Sequence, residues 1–357
     1  MNRKKIAIIT IYSVNFGNRL QNYAVHKILS DMDFNCETVV CQRSFLRHLL
    51  RNAYHWVGSL LRKKNSIKVR SFLKFVKRTT PVRFVYNKQL LIPKEIAGKY
   101  DYCVTGSDQV WNPEIRVKEK PNFFLDFAPE AKRVCIAPSF GVSEIPSEHV
   151  EQYKCWLNSF KYLSCREAEG VNIIKKLTGK EASLLIDPTM MLDREMWKEI
   201  YCPIELPEKP YVLLYFLGGV SAERQKMIQK LAEEHQLIIV DPLKSQDKKY
   251  DELQPDGLLQ LIDGASFICT DSFHLTAFSI NFNIPFFVFS RESKESFGNH
   301  MISRITSLLE LFNFCDRLDP KDCTNAFPCD FSCSNNIIEA ERIKAREYLK
   351  RCFEIAQ

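Results

Sequence analysis

At 357 residues the chain exceeds what a single hydrophobic core usually organises, so two domains are expected. A hydrophobic content of 45% with 26% charged residues fits a soluble globular enzyme and excludes a disordered or low-complexity chain. The net charge of +7 hides an asymmetry: residues 42 to 94 hold fourteen Lys or Arg and no Asp or Glu, which leaves −7 for the remainder.

The first apolar run, Ile6 to Ile11, is too short for a signal-peptide core and predicts a buried first strand. No apolar stretch approaches the ~20 residues of a membrane span, so a cytoplasmic location is expected. After the strand, Asn15, Gly17, Asn18 and Gln21 open a helix predicted over about 20 to 31. A glycine in this turn lets backbone approach a ligand, and neutral amides at a helix start suit sugar hydroxyls better than a pyrophosphate. The G-x-G-x-x-G spacing of a dinucleotide fingerprint is absent. Cys36 to Cys41 predict strand two, and the basic block follows. Within it Leu46, Leu49, Leu50, Ala53, Val57, Leu60 and Leu61 recur at helical spacing, predicting a basic amphipathic helix over 46 to 64. Two readings stand side by side: a segment for an anionic membrane surface or partner, or a helix packed on the domain with a solvated basic face. Nucleic acid is not expected, because no recognition motif accompanies the charge.

Tyr100 to Thr105 predict a strand ending in Gly106-Ser107-Asp108-Gln109, with Trp111 read either as a surface aromatic beside polar groups that grip a sugar or as a core residue under a capped loop. Phe123 to Phe127 and Arg133 to Ala137 predict short strands, and 148 to 160 a helix. The strand Tyr162 to Cys165 ends in Arg166, placed to hold a carboxylate or phosphate in bidentate fashion or to pair with Glu167 or Glu169. Residues 193 to 209, rich in proline at their end, read as a linker. The boundaries expected are an N-terminal Rossmann-like domain over 1–198 with the basic helical insertion 42–94, a C-terminal one over 199–336, and a helix over 337–357 packing back on the domains.

In the second half, strands at 211 to 216 and 237 to 241 alternate with helices at 221 to 235 and 255 to 263. The most informative stretch is 263 to 289: an apolar strand, the turn Asp271-Ser272-Phe273-His274, a helix, and a strand after Pro285. Such a βαβ unit needs a parallel sheet, whose ligands bind at the carboxyl ends of strands. A helix start there favours an anion, with His274 beside it. Residues 291 to 299 predict a loop and 301 to 312 a helix carrying Arg304. Thirteen cysteines without paired spacing indicate reduced thiols. The C-x5-C-x3-C run Cys323, Cys329, Cys333 fits no common zinc pattern, and no metal is expected.

Six ordered segments resemble the polysaccharide pyruvyltransferase family: NFGNRLQNYAV (15 to 25), YDYCVTGSDQVWNP (100 to 113), FFLDFAPEAKRVCIAPSFG (123 to 141), SCREAEGVNIIKKL (164 to 177), LLIDPTMMLDREMW (184 to 197) and TDSFHLTAFSINFNIPFFVF (270 to 289). The resemblance implies an α/β fold of two Rossmann-like domains around a cleft, like GT-B glycosyltransferases. It also implies transfer of the enolpyruvyl unit of phosphoenolpyruvate to a sugar of a surface or capsular polysaccharide, or its lipid-linked precursor, as a pyruvate ketal. The family's functional histidine maps to His274 and its catalytic-site arginine to Arg166. Leu275, where a glycine often follows the histidine, and Pro138, where a small residue is usual, depart from the pattern.

On this basis His274 is the expected general acid/base and Arg166 the donor clamp. Asp271, Ser272, Arg304 and Lys294 are the expected donor-site residues. Asn15, Gly17, Gln21, Gly106, Ser107, Asp108, Gln109 and Trp111 line the acceptor side, with Asp108 an alternative base. No cofactor is required beyond phosphoenolpyruvate as co-substrate. A basic helix at the anionic inner membrane face fits a lipid-linked acceptor. The alternatives are a GT-B enzyme using a nucleotide sugar and a non-catalytic saccharide-binding protein.

Overall fold

The computed structural model describes residues 3–245, 247–292 and 297–355. The chain forms two compact units, Met1–Met191 with Ile343–Gln357, and Leu192–Arg342. Both are α/β, each built on a parallel sheet.

The first unit runs β1 (Lys5–Ile9), α1 (Phe16–Asp31), β2 (Asn35–Gln42), α2 (Phe45–Leu60), α3 (Lys64–Thr79), β3 (Val82–Tyr86), β4 (Tyr102–Thr105), α4 (Lys120–Phe123), β5 (Arg133–Cys135), α5 (Val150–Asn158), β6 (Leu163–Cys165), α6 (Ala168–Thr178), β7 (Ala182–Leu184) and α7 (Pro188–Met191). Five strands pair in the order β3-β2-β1-β4-β5, with Ile6 opposite Cys36 on one side and Tyr102 on the other. β6 and β7 form a separate parallel pair. The order reverses at β1, so the turns after β1 and β4 flank the point where such sheets bind ligands. The strands are near-continuous apolar runs because helices cover both faces. Ile6, Ala7, Ile8, Cys103 and Val104 are fully buried.

The basic block is not an insertion beside the sheet. It supplies α2, α3 and the edge strand β3, which pairs Gln42 with Tyr86. The single helix expected over 46 to 64 ends at Leu60, because Arg62 turns left-handed (φ 53°). The Lys63 amide then bonds the Gly58 carbonyl at 2.9 Å. A Cβ on Gly58 would stand 2.3 Å from Ser66 Oγ, so glycine lets α2 lie tightly on α3. Residues 123 to 127 are not a strand. Pro121 opens the helical turn α4, and Leu125 follows in the left-handed region (φ 57°).

The second unit runs α8 (Arg194–Lys198), β8 (Tyr211–Tyr215), α9 (Ala222–Glu234), β9 (Ile238–Val240), α10 (Pro255–Asp263), β10 (Phe267–Thr270), α11 (Phe273–Phe282), β11 (Phe286–Val288), α12 (Phe297–Phe312) and the start of α13 (Ser332–Phe353). Its strands pair in the order β11-β10-β8-β9, with Cys269 between Leu214 and Phe287. The order reverses between β8 and β10.

Residues 193 to 209 are tied to this unit rather than forming a linker. Arg194 pairs with Asp263, the Cys202 amide donates to Asp256 at 2.9 Å, and Asn281 holds the Leu192 carbonyl at 2.9 Å. α13 begins five residues before the expected start, and its later residues belong to the first unit, where the Tyr348 hydroxyl donates to the Cys135 carbonyl at 2.9 Å. Among the described residues no helix is long and apolar enough to cross a membrane, and all thirteen cysteines are free thiols.

His26 lies inside the first unit between α1 and β2, its Nε2 2.9 Å from Thr38 Oγ1. Burial pushes its pKa down from 6.5 to about 3. The unfolded chain therefore binds one more proton than the fold between those values, and stability falls as pH drops from 6.5 toward 3. Urea unfolding across this window should show His26 contributing a slope of about 1.4 kcal/mol per pH unit, which His26→Gln removes.

Candidate active site

In the first unit the turns after β1 and β4 are laced together. Asn15 caps α1, its side chain accepting from the Asn18 amide at 3.1 Å. Asn18 Nδ2 donates to Asp108 Oδ2, and the Ser13 hydroxyl donates to Asn18 Oδ1. Gln21 Nε2 donates to Thr10 Oγ1 at 2.7 Å, and Thr10 donates to the Ser107 carbonyl at 3.1 Å. Gly106 packs closely here: a Cβ would sit 3.3 Å from that of Thr10. Asp108 holds the left-handed region (φ 78°) and caps the Gln109 amide at 2.8 Å.

Beneath this turn lies Asp187, buried, with four donors. The Ser107 hydroxyl reaches it at 2.9 Å, Arg166 Nη1 at 2.6 Å, and the Thr189 amide and hydroxyl at 2.9 and 2.7 Å. Glu167 accepts from the Phe140 and Gly141 amides at 2.7 and 3.3 Å. Burial alone would lower the Arg166 pKa, but the carboxylates of Asp187, Asp108 and Glu167 outweigh it and raise it.

These observations sort the expected acceptor residues. Asn15 and Gln109 are partly exposed, and Asp108 lies at their side with 8% exposure. Gly17, Gln21, Gly106 and Ser107 are buried behind them and hold the turn. Trp111 is not a sugar platform: it is fully buried, stacked on Phe124 at 5.1 Å, and its indole donates to the Phe123 carbonyl at 3.2 Å. Its ring completes an aromatic core, where area burial outweighs exposure. Nor does Arg166 face outward as a clamp, because its side chain is buried and committed to Asp187. With three carboxylates around one guanidinium, the local charge opposes a bound anion there.

In the second unit Asp271 joins the two turns at the sheet's reversal point. Its carboxylate accepts from the Leu217 and Gly218 amides at 2.8 and 2.7 Å, and Arg291 Nε lies 3.2 Å away. Asp271 therefore shapes the site rather than touching a ligand. Ser272 is the N-cap residue of α11, and its carbonyl accepts from the Thr276 amide and hydroxyl, both at 3.0 Å. α11 is apolar all round and buried, as such helices must be. Within it only His274 is partly exposed. Arg304, on α12, stacks over Phe273 with its guanidinium 5.9 Å from the ring, and His274 meets the same ring edge-on at 5.5 Å. A histidine and an arginine thus flank one aromatic ring at a helix N-terminus. Lys294 lies outside the described residues.

Thr10, Asp187 and Arg291 were not singled out from the sequence, and Asn18 only as a neutral amide at the helix start. Only Asp187-Pro188-Thr189 carried a signal, the aspartate two residues before a threonine that forms a local cap. Among the described residues no group of three or more His, Cys, Asp or Glu is arranged to hold a metal.

The family model for polysaccharide pyruvyl transferase matches residues 15–293. No curated protein matches the chain. Solved structures similar to it include the S. aureus MnaA co-structure with UDP (12% identity, TM-score 0.49, covering 97% of this chain and 90% of that one). They also include a putative UDP-N-acetylglucosamine 2-epimerase from Listeria monocytogenes (10%, 0.47, 99% and 92%) and MurG from Acinetobacter baumannii (10%, 0.43, 99% and 96%).

Removing Arg166 leaves Asp187 buried without its cation. Arg166→Ala should therefore lower unfolding free energy by about 3–5 kcal/mol, measured by denaturant titration. A variant that kept wild-type stability while losing substrate binding would instead make Arg166 a ligand contact.

Proposed function

Because the chain belongs to the polysaccharide pyruvyl transferase family, we propose that it transfers the enolpyruvyl group of phosphoenolpyruvate to a saccharide, forming a pyruvate ketal and releasing phosphate. The observation that carries this is His274, the one partly exposed side chain of an otherwise buried helix, standing with Arg304 at that helix's N-terminus. A helix N-terminus and a nearby guanidinium favour a small dianion.

Ketal formation requires a proton on the vinyl carbon C3, which leaves an oxocarbenium-like centre at C2. One sugar hydroxyl adds to C2, and a second displaces phosphate. One hydroxyl proton balances the proton delivered to C3, and the other leaves with phosphate. Imidazole is the side chain best suited to proton transfer at neutral pH, so His274 is the general acid/base. Ser272 and Arg304 bind the donor, with Asp271 and Arg291 fixing the turn. In the first unit Asn15, Asp108 and Gln109 bind the saccharide, and Asp108 takes the hydroxyl proton. Arg166 is a positioning residue that acts through Asp187 and Ser107.

The acceptor is a polysaccharide unit, and its lipid-linked precursor is the form that fits the basic block. Phe45, Leu46, Leu49, Leu50, Trp56 and Leu60 on α2 all face solvent, so this helix presents an apolar surface within a strongly cationic segment. That combination matches the anionic inner face of a membrane, where each Lys or Arg near the surface contributes about 1 kcal/mol.

Calorimetry should show saturable phosphoenolpyruvate binding, with nucleotide sugars as controls that do not compete. Arg304→Gln should weaken binding by about 1.5–3 kcal/mol, whereas His274→Gln should bind normally and lose ~10²–10⁴-fold in kcat. Binding of nucleotide sugars in place of phosphoenolpyruvate would overturn the reading. Separately, the protein should co-sediment with phosphatidylglycerol vesicles at low salt, and Leu50→Glu with Leu60→Glu should reduce this by roughly tenfold or more. Equal sedimentation with neutral vesicles would count against an electrostatic dock.

A further inference from the structure

The first unit contains a cavity of about 510 Å³ that none of the residues assigned above lines. It opens at the carboxyl ends of β1 and β2 and is walled by α2, α3 and the segment before α4. Arg19, Arg43, Arg47, Arg51 and Arg116 line it, and among the described lining residues Glu119 is the one acid. Arg116 engages Glu119 at 3.1 Å, while Arg51 donates to the neutral amide of Gln42 at 3.3 Å. Four guanidiniums remain without a compensating carboxylate in the lining.

The floor is the telling part. Arg19 is 3% exposed, its guanidinium lies 3.5 Å over the Tyr12 ring, and its Nε and Nη1 have no hydrogen-bond partner. Burial lowers its pKa, with Tyr12 opposing. A buried cation with idle donors is costly unless an anion meets it. Planar guanidiniums in such a cluster match phosphoryl oxygens in bidentate geometry. A single carboxylate would leave most of this charge unanswered, whereas a diphosphate carries two or more charges.

We propose that this cavity binds the phosphate or diphosphate group borne by the saccharide acceptor. The inference rests on the acceptor reading above. Two lining residues join the cavity to the acceptor turn: Thr10, bonded to Gln21 and Ser107, and Ser13, bonded to Asn18. A phosphoryl group on Arg19 thereby sets the sugar against Asn15 and Asp108, and its charge fixes which end of the acceptor enters.

The test is calorimetric titration of the full chain with inorganic pyrophosphate, then with a soluble glycosyl diphosphate and its lipid-linked form in detergent. Arg47 and Arg51 are exposed on α2, so Arg47→Ala with Arg51→Ala leaves the fold intact. Pyrophosphate should bind wild type and bind the double variant at least tenfold more weakly. Phosphoenolpyruvate binding should be equal in both. Arg19→Met should abolish the rise in melting temperature that pyrophosphate produces in wild type. Tighter binding of the lipid-linked form than of the soluble one would identify the lipid carrier as the source, and equal binding the diphosphate alone; either supports the site. Pyrophosphate binding that is absent, unchanged in the double variant, or competed by phosphoenolpyruvate at one shared site would overturn it. If pyrophosphate binds and phosphoenolpyruvate does not, the donor assignment fails while the anion site stands.

Discussion

The first unit's polar turn depends on one buried carboxylate. Asp187 gathers donors from three separate places in the chain: Ser107 after β4, Arg166 after β6, and Thr189 in α7. Each satisfies a lone pair that burial would otherwise leave unmet, and each fixes the segment that supplies it. Asp108, one residue beyond Ser107, can then hold a left-handed backbone that a non-glycine residue adopts at a cost. Its carbonyl accepts from Ser139 at 2.8 Å, and its two carboxylate oxygens are occupied by Gln109 and Asn18. Several independent bonds over-determine that conformation, which is how strain persists at a site.

The second unit uses the same device with a different result. Asp271 also ties two turns across the point where strand order reverses, through the amides of Leu217 and Gly218. A Cβ on Gly218 would stand 2.6 Å from Arg291 Cγ, so glycine admits the arginine that balances the aspartate. Here the carboxylate is spent on backbone and one cation, and the next residues open α11. One aspartate anchors an acidic turn and the other a turn that carries a cation, so the two units present opposite local fields, as the proposed split into acceptor and donor sides requires.

Much of the sheet architecture was legible because buried parallel strands are plain apolar runs, as in Ile6 to Ile9 and Phe267 to Thr270. The polar turns were legible too, since glycine, asparagine and aspartate after such a run have few other uses. Environment was not legible. Trp111 sits among polar residues in sequence but stacks in an aromatic core formed by Phe124, Phe140 and Phe160, all distant along the chain. Arg166 was read as an anion clamp or as a partner of Glu167 or Glu169, because the carboxylate it bonds, Asp187, lies 21 residues away. The boundary after Met191 was missed for a similar reason: the prolines near 203 to 210 suggest a linker, while the bonds that hold this stretch come from Asp256, Asp263 and Asn281.

α2 shows the limit of periodicity most clearly. Its apolar spacing is that of a helix burying one stripe, yet Gly58 is its sole buried residue. The stripe faces water and the other side, with Arg47, His48, Arg51 and His55, lines the cationic cavity. Both choices are unfavourable in isolation. Exposed leucines forfeit the hydrophobic contribution that stabilises most helices, and clustered guanidiniums repel one another. With a phosphoryl group in the cavity, as proposed, the cationic side of α2 is offset, and the helix is a wall with one ionic and one apolar side rather than a failed piece of core.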